Sequence, residues 1–263
     1  MTLIELGPRE LGIAALGVLL LGLAQAAMGL GLTRSLWWSS LRMTAQLLLV
    51  GVLLKSLFEA ATLGWVLLMA LVMVSLAGLE IIHRQKRRLS GAWSYLLGVI
   101  AMGASALTLA GLTLGLILQT EPWYTPQYAI PLLGMILGNT MTGIGVALNQ
   151  LTQNAWQQQA ALEGRLMLGL SYREATLELR REAIRSGMIP VINMLAVAGV
   201  VSLPGMMTGQ ILSGTPPLEA VKYQILIMFL VATGTGFGTL LAVSLASRRL
   251  FDTRERLRLD RLA

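Results

Sequence analysis

Few residues of this chain have the chemistry to catalyse, ligate or bind, and their types exclude several classes of function. There is no cysteine and only one histidine, so a disulfide framework, a thiolate nucleophile and a cysteine metal site are ruled out. No G-x-x-x-x-G-K-[ST] run is present to cradle nucleotide phosphates. No nucleophile–base pair or carboxylate–histidine cluster at metal-ligand spacing stands out, so catalytic, cofactor and metal sets are not expected and the chain does not read as an enzyme. Three groupings remain. Glu163, Gly169, Ser171 and Glu174 form a charged, glycine-stopped turn. Pro204-Gly205-Met206-Met207 sets a helix breaker beside two thioethers, which are soft donors better suited to Cu(I) than to iron and which also fill gaps in cores. Gln46, Asn139 and Gln210 place amides inside apolar runs, where each must bond a neighbouring helix or line an aqueous path.

The elements that would hold these groups are membrane helices. Of the 263 residues 55% are apolar and 13% charged, with a mean hydropathy of +0.70, whereas soluble domains carry about 25% charged residues. Apolar runs long enough to span hydrocarbon recur at 10–32, 41–58, 62–82, 92–118, 129–149, 189–212 and 222–246. Backbone in lipid must satisfy itself, which makes such runs helical. The fold expected is all-α, a polytopic transmembrane bundle of about seven spans, read as one domain over 1–263. In this reading Pro204 kinks the sixth span, and the tail from Arg248 is a charged helix. The first ten residues lack a basic leader region, so the first run reads as a span rather than a signal peptide.

Charge sets the orientation. The chain carries a formal +7, but its cations sit in short loops between spans, which marks them as topology determinants rather than a nucleic-acid surface. With the N-terminus outside and the C-terminus inside, seventeen of the twenty Lys and Arg fall on the inner side. The six tryptophans lie at or near span ends, where an amphipathic ring suits the headgroup level. The polar segment 150–188 then lies in the cytoplasm. Within it, Trp156–Leu168 reads as a helix stopped by Gly169, Ser171 and Glu174 form a capping box, and a second helix follows with Ala175, Leu179 and Ala183 on one face. Such a turn either links two spans or docks on another protein.

Residues Glu163 to Ser171 resemble the EAA loop of ABC-transporter permeases, with an acidic residue six positions before a glycine; Gly164 and Arg165 stand where that loop has paired alanines. A wider resemblance rests on Arg42-Met43-Thr44-Ala45-Gln46-Leu47, Ile130-Pro131-Leu132-Leu133-Gly134-Met135-Ile136 with Gly138-Asn139, the run Val201 to Gly209, and Ala220-Val221-Lys222-Tyr223-Gln224-Ile225. These are similar to the FetB/YbbM-type permeases, a family associated with bacterial iron export and, in plants, with aluminium tolerance and UDP-glucose transport.

The resemblance implies a multi-pass permease subunit of the cell inner (plasma) membrane. It would export iron or another metal-related solute, or a polar organic solute such as a nucleotide sugar. ATP would be hydrolysed by a separate cytoplasmic P-loop ATPase, coupled through 150–188 and through Glu163, Gly169, Ser171 and Glu174. The translocation path would be lined by Gln46, Asn139, Pro204, Gly205, Met206, Met207 and Gln210. Small-xxx-small pairs at Gly111/Gly115, Gly134/Gly138 and Gly234/Gly238 offer helix-packing faces and a homodimer seam. Beside this stands a carrier or channel that works without ATP. The span centres lack ionisable groups, which argues against proton coupling.

Overall fold

The computed structural model describes residues 7–60 and 62–262. Among them there is no β-sheet, only three isolated bridges. Ten α-helices follow in order: α1 Pro8–Ala27, α2 Thr33–Ala60, α3 Leu63–His83, α4 Trp93–Leu112, α5 Pro126–Gln157, α6 Gln159–Met167, α7 Tyr172–Ala175, α8 Leu177–Val197, α9 Gly205–Leu212 and α10 Pro217–Arg249. A π-helical turn, Thr113–Leu118, extends α4. Six of these elements (α1, α2, α3, α4 with its π turn, α5 and α10) are long and apolar enough to cross a membrane. The chain is a polytopic helical membrane protein.

The seventh expected span, 189–212, is not one kinked helix. α8 ends at Val197 and α9 begins at Gly205, with residues 198–204 out of helix between them. Gly199 takes a left-handed φ of +82°, which ends the helix. Pro204 has no N–H to give and disfavours α conformation in the residue before it. Part of the connecting backbone pairs locally. The Val197 carbonyl accepts from the N–H groups of Val201 and Ser202 at 3.0 and 3.3 Å, and Gly199 N–H donates to the Ser202 carbonyl at 2.9 Å.

The chain divides into two compact units. One holds α1 and α2 with residues 212–214, and the other holds the elements from α3 onward. In the first, Gly22 of α1 receives the Trp37 ring of α2, and Thr33 Oγ1 donates to the Gly22 carbonyl at 3.1 Å. In the second, α5, α8 and α10 meet along a seam of glycines and threonines. A methyl added at Gly187 of α8 would lie 2.7 Å from the Gly143 carbonyl oxygen and 2.8 Å from Ala147 Cβ on α5. One added at Gly234 or Gly238 of α10 would lie 2.8 Å from Ile136 or 2.7 Å from Thr140. Gly234/Gly238 is therefore occupied within the chain and is not free to form a seam between copies. Around Gly111 and Gly115 the corresponding positions are open.

The tail is not the helix the sequence suggests. After α10 it folds back, because Phe251 and Leu259 are apolar enough to be buried rather than line a solvated helix. Arg258 N–H returns to the Leu250 carbonyl at 2.8 Å, and Ser90 N–H donates to the Arg261 carbonyl at 2.7 Å. Asp252 closes the bend, accepting from the backbone N–H groups of Arg254 and Arg256 at 2.9 Å each. The short 3-10 turn Leu259–Arg261 ends it.

Substituting Gly187→Ala should lower stability by about 1–3 kcal/mol through overpacking against backbone. Thermal unfolding in detergent should show a midpoint several degrees below wild type. Gly164→Ala, in a helix with nothing within 4 Å of the added carbon, should leave it unchanged or slightly raised.

Candidate functional site

Two places gather the residues singled out in the sequence. The first is the turn between α6 and α7. Helix α6 closes through Gly169 N–H to the Leu166 carbonyl (2.9 Å) and Leu170 N–H to the Arg165 carbonyl (3.3 Å). Gly169 itself stands at φ +87°, a conformation that costs side-chain-bearing residues and that glycine adopts freely. Ser171 and Glu174 form the capping box the sequence predicts. Ser171 N–H donates to Glu174 Oε2 at 2.9 Å, and Glu174 N–H donates to Ser171 Oγ at 3.4 Å. The Ser171 hydroxyl also donates to that carboxylate at 2.7 Å, and it is the main cause holding the Glu174 carboxyl below its ordinary range. Glu163 is exposed on α6 and accepts from the Gln159 side chain at 2.9 Å. Arg165 Nη1 reaches the Ala175 carbonyl at 2.9 Å and fastens α6 to α7. Ala175, Leu179 and Ala183 are all buried, as their spacing predicts.

The tip of this turn holds what the sequence reading missed. Met167 and Leu168 are 84% and 85% exposed, two large apolar side chains presented by a backbone locked on both sides. Their signal was present, as an apolar pair directly before a helix-stopping glycine. Also unforeseen is the tail's grip on the turn. Glu255 Oε2 accepts the Tyr172 N–H at 3.0 Å, and the Tyr172 and Phe251 rings lie 5.5 Å apart.

The second place is the helix break. A cavity of about 590 Å³ opens there, lined by Leu203 and Pro204 from the break, Met207 of α9 and Gln224, Met228 and Phe229 of α10, among others. Gln224 is only 8% exposed, and its Oε1 has no hydrogen-bond partner. A buried amide oxygen without a donor costs roughly 1–3 kcal/mol, which marks it as a group waiting for one. The sequence reading missed it because it lies at the edge of the last expected span. Of the predicted path residues, the structure brings Pro204 and Met207 to this cavity. Gly205 opens α9, and Met206 and Gln210 lie half-buried along α9. Asn139 donates to the Met135 carbonyl of its own helix at 2.8 Å and is not among the cavity's lining. Gln46 is exposed on α2, in the other unit. Among the described residues no group of three or more His, Asp or Glu is placed to hold a metal ion.

With this geometry in view, comparison with known proteins is informative. The model of an uncharacterised protein family, UPF0014, matches residues 8–251. A UPF0014 membrane protein of Synechocystis is 38% identical over 90% of this chain and 92% of its own length. The Escherichia coli protein named "Probable iron export permease protein FetB" is 34% identical over 87% of this chain and 86% of its own. "Protein ALUMINUM SENSITIVE 3" of Arabidopsis thaliana is 36% identical over 82% and 77%. No solved structure matches the chain.

The tail's hold on the turn should be pH-dependent. Asp252 is lowered from 3.8 to about 2, chiefly by the Arg256 backbone N–H. A carboxyl depressed in the folded state stabilises above its unfolded value and loses that contribution as pH falls through the folded one. The fold-back should therefore be intact above about pH 4 and loosen between about pH 4 and 2. A fluorophore on Thr253→Cys, the sole thiol of the variant, should gain mobility in that window, and already at pH 7 when Asp252→Asn is added.

Proposed function

The chain belongs to the UPF0014 family, and on that footing we propose that it is the membrane-spanning permease subunit of an ABC transporter, driven by a separate P-loop ATPase. The observation that carries this reading is the pair Met167 and Leu168, held out from a capped, rigid turn. Side chains of that size exposed on a locked backbone suit a groove in a partner, since their burial would contribute roughly 1.5–3 kcal/mol each. A capped turn moves as a body, so a displacement of the partner would be passed into α5 and α8, which flank it. In this scheme α8 and α9 together make a seventh, broken crossing, so the N-terminus is outside while the turn and tail face the cytoplasm, and 150–188 serves as the coupling segment. The membrane is the cell's inner membrane.

The solute reading follows the FetB relative's name, with export of iron or a metal-related solute. The break between α8 and α9 is the proposed gate, because discontinuous helices near the middle of a bundle commonly bound transport sites. Its cavity offers the Gln224 amide and the Met207 and Met228 thioethers in an otherwise apolar wall. Such a lining can pass a solute without holding a metal ion tightly. It also favours a second reading, in which the cargo is a polar organic solute that meets an amide rather than a carboxylate cage. Two copies of the permease form the pathway in this proposal, with Gly111 and Gly115 left for their seam.

Two substitutions test the scheme. Leu168→Asp, at an exposed position, should leave membrane insertion intact while lowering transport-coupled ATPase activity at least about tenfold in vesicles holding both subunits, the loss expected for about 1.4 kcal/mol of docking. Unchanged coupling would remove the docking role. Gln224→Leu should slow transport at equal protein level. A variant that instead fails to accumulate would make Gln224 a packing residue.

A further inference from the structure

An anion-attracting feature lies at the end of the bundle where α10 finishes. Tyr172, Arg173, Arg180, Ser244, Leu245, Ser247 and Arg248 enclose a cleft of about 360 Å³. Three arginines line it and no carboxylate does. The Arg180 Nε is buried without a hydrogen-bond partner. The Arg248 side chain makes no hydrogen bond or ion pair among the described residues, while the Arg173 side chain donates to the Tyr172 hydroxyl at 3.2 Å. Glu255 acts on Arg173, but three arginines lining one cleft still leave a net positive charge that calls for an anion.

The cleft does not end there. Through Tyr172, Leu245 and Arg248 it shares its wall with a larger cavity of about 670 Å³, whose floor is Trp93, Leu97 and Ile100 of α4. Arg249 and Arg261 add further cations to that cavity. Of its two acids, Asp252 pairs with Arg256, and Glu255 accepts the Tyr172 N–H. Arg249 sits 4.7 Å above the Trp93 ring. Trp93 opens α4 and is 47% exposed, while Ile100, two turns further into the span, is 50% exposed. A basic cleft, an aromatic at the level of a span end and an apolar wall descending from it occur in the order of a phospholipid's phosphate, glycerol and acyl chain.

We propose that this composite site binds one anionic phospholipid, its phosphate among Arg173, Arg180 and Arg248 and an acyl chain along Leu97, Ile100 and Leu245. A free phosphate would satisfy the arginines but leave the apolar annex unused. The bound lipid joins the turn at Tyr172 to the end of α10, so it braces the tail and turn against each other. The site stands independently of any ATPase partner, because its test reads lipid retention and not transport.

The full chain is reconstituted in nanodiscs containing phosphatidylglycerol and phosphatidylcholine in equal amounts, then delipidated stepwise in detergent, and the retained lipid is counted by mass spectrometry. Phosphatidylglycerol should be enriched in the retained fraction. Arg248→Ala should reduce that enrichment about five-fold, the effect of one interfacial arginine, and Arg248→Lys should restore most of it. Arg254→Ala, an exposed tail arginine outside the cleft, should leave it unchanged. Equal retention of the two lipids would overturn the proposal, as would equal losses in the Arg248 and Arg254 variants, which would mean diffuse surface attraction. Displacement of the retained lipid by millimolar inorganic phosphate would also overturn it, by identifying a free-anion site.

Discussion

The approach of Gly187 to Gly143 sets the geometry of the larger unit. Helices in lipid gain nothing from hiding apolar surface from one another, since acyl chains are as apolar as leucine, and they associate through close van der Waals contact. Here that contact depends on the absence of two side chains. With a methyl at Gly187 only 2.7 Å from a backbone oxygen, α5 and α8 hold each other at backbone distance, and Thr235 and Thr239 of α10 complete the wedge. The buried threonine hydroxyls use little volume, and Thr239 and Thr152 donate to carbonyls within their own helices. Long helices can thus lie side by side without charged groups at their centres.

That seam explains why the break can exist. α8 is gripped along its first two-thirds, where Leu179, Ala183, Gly187 and Val191 are buried. Beyond Val191 the grip lapses, and no residue of α9 is buried. The chain can leave the helix at Gly199 without dismantling a packed core, and Val200 and Val201 stand 88% and 80% exposed. The cavity forms where the tight seam ends, so the one unpaired amide on α10, Gln224, lies at the edge of the packing rather than within it.

Much of this was legible in the residues. Span positions followed from apolar run length, and the turn followed from Gly169, Ser171 and Glu174, because capping is a local matter decided by neighbours in sequence. What was not legible depended on distant partners. The tail's fold-back needs Leu250, Phe251 and Leu259 to find burial against other elements, which their flanking charges disguise. The end of α8 needs a left-handed Gly199, and a glycine in an apolar run reads equally as a packing face. Helix ends also overran the expected spans, since α5 and α10 continue as helix through polar sequence held by contacts such as Thr152 to the Arg87 carbonyl at 2.8 Å. Asn139 illustrates the converse, because a lone amide in an apolar run carries no sign of whether it will turn back on its own backbone.

The length of α5 has a mechanical consequence. Its 32 residues make a rod of about 48 Å at about 1.5 Å per residue, against a hydrocarbon layer of about 30 Å. Some 18 Å of rigid helix is left over beyond the oil, more than the thickness of a headgroup layer. The turn that bears Met167 and Leu168 follows the end of this rod, carried on helix that outlasts the hydrocarbon.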